Sequence, residues 1–190
     1  MSPPAITVIM EEHQALRAVL QSFRLHVEQA RRNRTTPDFG ALRALLFYAD
    51  EVPAHWHHAK ENKHLFPRVR ERCPALRPVL DRLEAEHARG ELAIRQLERA
   101  LLAFEVMGES RREPFEKAAE GFVRQYLGHM EVEENYVIPV ALGCLTEDDW
   151  KQLDQAFASS GDPVEQQVAD EYRQLLRRVL FREGMPSSCK

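Results

Sequence analysis

Glycine and cysteine are scarce in this sequence, at 8 and 3 residues out of 190. So few glycines exclude a chain of many tight turns. They point to long uninterrupted elements, with the 11 prolines gathered mostly at what read as their ends. Cys73, Cys144 and Cys189 are odd in number, far apart and never in a CxxC spacing. The sequence therefore implies neither a disulfide framework nor a thiolate zinc site. Also missing is any stretch approaching about 18 consecutive apolar residues, which excludes a membrane-spanning helix. The start Met1-Ser2-Pro3-Pro4 has neither the basic region nor the apolar run of a secretory leader, so the expected location is cytoplasmic. Nor does charge of one sign dominate: Lys+Arg 26 against Asp+Glu 30 leaves a formal net charge of -4. That balance disfavours a basic nucleic-acid binder.

What is present is helical periodicity. Ile9, His13, Leu16, Leu20, Phe23 and Val27 recur at steps of three and four, which places them on one stripe of a helix running to about residue 32. Arg34-Thr35-Thr36-Pro37-Asp38 breaks the pattern, and Thr36 as N-cap with Pro37 at the first helical position starts a second helix over about 38–71. Pro53 should kink that helix and Pro67 should bend its last turn. A third stripe reads Leu76, Leu80, Leu83, His87, Gly90, Ile94, Leu97, Leu101 and Phe104. A fourth reads Phe115, Ala119, Phe122, Tyr126, His129, Glu133 and Tyr136. Four long helices with short connections predict an all-α, up-down-up-down four-helix bundle over residues 1–143. A C-terminal helical extension over 144–183 should pack on it. This comprises a short helix capped by Thr146 and a last amphipathic helix over 164–181, followed by a disordered tail at 184–190.

Each stripe carries an inward polar residue, and these repeat. His57-x3-Glu61-x5-Pro67 has the same spacing as His129-x3-Glu133-x5-Pro139, and Glu12-His13 and Glu86-His87 precede them by 44 and 42 residues. The chain reads as two helical hairpins of similar design. A histidine and a glutamate four residues apart share one helical face. Burying two carboxylates costs several kcal/mol each, of order, unless a cation compensates. The expectation is a dinuclear centre with Glu61 and Glu133 bridging two metal ions and His13, His57, His87 and His129 capping them. Imidazole and carboxylate without thiolate suit iron first, with manganese and zinc behind it. His26 and the extra histidines His55, His58 and His64 read as surface or mouth groups. Tyr126 and Tyr136 read as core aromatics. Gly90 is a close helix contact or room for a ligand, and Glu91 stands four residues after His87.

With these strings in hand, together with Leu65-Phe66-Pro67 and Leu83-Glu84-Ala85-Glu86-His87, the sequence resembles the hemerythrin-like family, the HHE cation-binding domains, over about residues 6–165. The resemblance implies a non-haem di-iron centre held by His13, His57, Glu61, His87, His129 and Glu133. Oxygen-carrying members use an HxxxH pair in the third helix, where this chain has His87 and Glu91. The set of four histidines and two glutamates is more similar to members associated with nitric oxide response and iron-sulfur cluster repair. Two functions follow as expectations. One is a di-iron protein binding oxygen, nitric oxide or peroxide for sensing, storage or stress response. The other is a di-iron enzyme reducing nitric oxide or peroxide, or donating iron, with Tyr126 or Glu91 delivering protons. The partner is a small diatomic or peroxide, with no nucleic acid and no membrane. Whether the helix from about residue 164 joins two copies into a homodimer is left open by the sequence.

Overall fold

A computed structural model describes residues 2–52, 57–158 and 174; among these there is helix and no strand. Helix α1 runs Pro4–Asn33 and α2 Phe39–Val52. A short turn α3, His58–Lys60, leads into a π-helical turn at Glu61–Leu65 and then α4, Phe66–Arg72. Helix α5 spans Arg77–Met107 and α6 Arg112–Val132. A second π-helical turn at Glu133–Val137 precedes α7, Ile138–Cys144, and α8 covers Glu147–Ala158. Helix α1 packs on α2 and α6, and α5 packs on the same two, which closes the four-helix bundle; α8 lies against α1.

The stripes read from the sequence are the core. Ile9, Leu16, Leu20 and Phe23 on α1 are buried, as are Leu80, Leu83, Ile94, Leu97, Leu101 and Phe104 on α5. They form two apolar layers. One centres on Leu20, Phe23, Leu46, Leu97 and Phe115, the other on Ile9, Phe66, Leu80, Val137 and Ile138, and α8 adds Leu153 and Phe157 to the second. The inward histidines lie on the same stripes between the two layers, so a polar slab is sandwiched in apolar packing.

Several expectations change in detail. The cap of α2 is Asp38, whose Oδ1 accepts from the Ala41 amide at 2.9 Å; a carboxylate at that position satisfies an orphan N–H that Thr36 is too far back to reach. Pro67 and Pro139 do not bend a last turn. Each follows a wide turn in which the Phe66 or Ile138 amide donates to the carbonyl of Glu61 or Glu133, five residues back. Proline has no N–H and crowds the carbonyl four residues earlier, and a widened turn relieves that crowding. The extra residue advances the register, so Val137 is fully buried and Tyr136, expected in the core, is 51% exposed. Thr146 caps α8 as expected, in a reciprocal box with Asp149.

The cysteines also depart from expectation: Cys73 and Cys144 form a disulfide, with Cα atoms 6.4 Å apart. The repeat makes α4 and α7 equivalent and sets them side by side, which brings together two positions 71 residues apart in sequence. The Pro53 kink, His55, Cys189, the 184–190 tail and, apart from residue 174, the 164–181 helix with its proposed dimer contact lie outside the described residues.

Candidate metal centre

All six predicted side chains converge, and each is buried: His13, Glu61 and Glu133 at 1%, His57 at 3%, His87 at 5% and His129 at 6% exposure. The imidazoles are paired through their inner nitrogens. His13 and His57 bring their Nε2 atoms to 2.8 Å, and so do His87 and His129. The carboxylates stand between the pairs. Glu133 sets Oε2 3.3 Å from His13 and Oε1 3.2 Å from His129, while Glu61 sets Oε1 3.4 Å from His57 and Oε2 3.6 Å from His87. Each carboxylate thus spans both pairs.

The outer nitrogens are fixed by acceptors. His57 Nδ1 donates to Glu12 and His129 Nδ1 to Glu86, while His13 Nδ1 donates to Glu134 and His87 Nδ1 to the Asn62 side-chain oxygen, all at 2.9 Å. Lys60 pairs with Glu12, and Arg17 with Glu134, over the outer edge. With Nδ1 donating outward, each Nε2 keeps its lone pair for the interior, the arrangement in which histidine ligates a metal.

The electrostatics of the bare protein are unfavourable in the way a cation would relieve. Glu61 is pushed well above the usual carboxylate range by burial and by the neighbouring Glu133. Burial pushes Glu133 upward too, but the imidazoles of His129, His13 and His87 around it override that and hold the carboxyl well below. Burial also depresses His57 and His87. Glu61 Oε2 and both oxygens of Glu133 are buried without a hydrogen-bond partner, and an unpaired buried carboxylate oxygen is costly. Four inward imidazole nitrogens around orphaned carboxylate oxygens fit a metal centre. His13, His57, Glu61 and Glu133 form one group able to hold an ion, and His87 and His129, with His58, another.

His58 is the residue the sequence reading misplaced. It is buried and stacks on His87, with ring centroids 3.9 Å apart and planes 13° apart. One residue past His57 is a turn of about 100°, which carries the ring from the bundle axis to the seam with α5, against His87 and Tyr126. Parallel stacked rings keep their lone pairs in separate planes, so an ion in the plane of His87 misses that of His58. In this arrangement His58 is a wall of the centre. Burial and the neighbouring His87, His57 and His129 hold it well below the ordinary histidine range.

Tyr126 is half-buried, stacks loosely on His58 at 6.0 Å and is kept protonated by burial and surrounding carboxylates. Glu91 is exposed, outside the cluster, and His64 lines a 940 Å3 surface groove with Lys63 and Arg68 that contains none of the converging residues. Glu12, Asn62, Glu86 and Glu134 were not read as site residues, although their repetition beside the histidines and glutamates was the available signal.

A helical bundle with a buried layer of imidazoles and carboxylates defines a class of metal-binding bundle proteins. Residues 5–141 match the hemerythrin HHE cation-binding domain, and the chain belongs to that family. No curated protein matches it. No helix among the described residues is long and apolar enough to cross a membrane.

Proposed function

We propose that the cluster is a di-iron centre that binds a small oxidant, oxygen, nitric oxide or peroxide, for sensing, storage or stress response. The observation that carries this reading is the bridging geometry: two buried carboxylates, each facing one imidazole pair with one oxygen and the other pair with the second. His13 with His57 would hold one ion, His87 with His129 the other, and Glu61 and Glu133 would bridge them. Nitrogen and oxygen donors of this kind suit iron ahead of manganese or zinc. When bound, the iron pair supplies the redox chemistry. The protein holds the imidazoles by their outer nitrogens, excludes water with the apolar layers, and neutralises the ions with the two carboxylates. Metal analysis of the purified protein should give about two irons per chain, with new absorption bands on adding oxygen, nitric oxide or peroxide. His57→Ala and Glu133→Ala should each lose iron, and unchanged stoichiometry in both would sink the reading.

One observation favours turnover over simple binding: Tyr126 borders the same small recess as His58, His87 and His129, and reducing peroxide or nitric oxide requires a proton source near the reacting ligand. An enzyme consumes many equivalents of oxidant in the presence of a reductant, whereas a binder saturates at one.

A further inference from the structure

Helix α8 lies beyond the residues that match the family, yet it reaches the rim of the metal centre. Two contacts set its course along α1. Asp154 Oδ1 accepts from the Ala5 amide at 2.8 Å, and Asp149 is held by Arg72 and Thr146. Phe157 is thereby pressed into the second apolar layer, where it is buried.

The Lys60 ammonium stands over the Phe157 ring, 5.7 Å from its centre, within reach of the negative face. From there Lys60 donates to Glu12 Oε1 at 2.8 Å, and the other oxygen of the same carboxylate accepts from His57 Nδ1 at 2.9 Å. One carboxylate is thus shared between an ammonium and a metal-facing imidazole. A lysine free in water keeps its flexible four-carbon stem and its charge hydrated, whereas this side chain is only 15% exposed. The internal repeat sets Val132 where Lys60 stands, packed against the second apolar layer, so the bundle itself does not call for a cation at that place.

The arrangement has an electronic effect. A carboxylate that accepts from the outer nitrogen makes an imidazole a stronger donor. A cation on the other carboxylate oxygen draws part of that charge away, and in a half-buried rim the pull is less screened than in water.

We propose that α8 tunes the metal centre from outside the bundle: Phe157 seats Lys60 on Glu12, and Lys60 limits how much charge Glu12 passes to His57. Lys60 and Phe157 are positioning residues, since neither is among the converging ligands and both act through Glu12. The proposal rests on the di-iron reading.

The test follows the midpoint potential of the iron-loaded full chain by spectroelectrochemistry, with iron content measured in parallel. Lys60→Gln leaves the Glu12 charge uncompensated and favours the ferric state. The potential should fall by about 30–60 mV, a three- to tenfold change at about 59 mV per tenfold. Phe157→Leu keeps the apolar contact and every charge but loses the ring face, and should shift the potential the same way by less; it carries the test if Lys60→Gln holds less iron. Lys60→Arg keeps the cation and should stay near the parent value. In a Glu12→Gln background the Lys60→Gln shift should shrink to less than about half. An equal shift in both backgrounds would overturn the proposal, because Lys60 would then act as a distant charge and not through Glu12. So would an unchanged potential in both Lys60→Gln and Phe157→Leu with iron retained, which leaves the di-iron reading standing. A parent protein that holds no iron removes both.

Discussion

The imidazole of His57 donates from Nδ1 to Glu12 at 2.9 Å across 45 residues of sequence, and His129 repeats the contact with Glu86. In each hairpin the carboxylate comes from the residue before the first-helix histidine and orients the second-helix one. The helices of a hairpin are thereby tied through the group that aims their imidazole inward.

Removing that tie should weaken metal binding without emptying the core. Glu12→Gln and Glu86→Gln each keep the shape and lose the charge, and chelator competition should show metal affinity lower by about 10–100-fold. Equal affinity in both variants would mean that packing alone orients the histidines.

Metal should also be a large part of the stability of this bundle. Glu61 and Glu133 face one another in a slab with three orphaned oxygens among them. An ion binding only the folded chain stabilises it by about 4 kcal/mol at a thousandfold excess over its Kd. Calorimetry with and without a strong chelator should therefore show a clearly lower Tm without metal, and coincident transitions would contradict a cation in the slab.

Asp149 supplies an acid-sensitive lock for α8. Its carboxylate accepts from Arg72 at 2.9 and 3.2 Å, from Arg68 at 3.4 Å and from Thr146. The Arg72 hydrogen bond is the largest influence, and the carboxyl is held down to about 2 from 3.8. A carboxyl depressed in the folded state contributes stability above its unfolded value that is lost as pH falls from about 3.8 toward 2. That contribution is about 2 kcal/mol. Asp149→Asn should reduce stability at pH 7 by a similar amount and flatten the acid limb of a denaturation series between those values.

The wide turn at Glu133–Val137 makes two adjacent positions energetically opposite. Tyr136→Ala removes an exposed ring and should change stability by less than about 0.5 kcal/mol. Val137→Ala leaves a cavity in the second apolar layer and should cost about 1–3 kcal/mol. Denaturant titration of the two variants reads the register directly, and the reverse order would mean that the turn is an ordinary α-helical one.

The helical stripes, their inward histidines and the two-hairpin repeat were legible because each is a local periodicity. Residues three and four apart share a helical face whatever surrounds the helix, so Leu83, His87, Gly90 and Ile94 could be placed on one face from spacing alone. The same holds for His57 with Glu61 and His129 with Glu133. The bundle and the convergence of six polar side chains follow, since amphipathic helices hide their apolar stripes by packing them against one another.

What spacing could not decide depends on contacts between helices. Tyr136 and Val137 exchange roles because a wide turn ahead of Pro139 shifts the register by one residue. His58 becomes a buried wall because α5 sets the His87 ring flat against it. Cys73 meets Cys144 because two equivalent segments end side by side. The sequence alone determined which residues face inward, a property of each helix by itself. Only the tertiary structure decided which of them touch, because the space at a helix seam is set by side chains far apart in the chain.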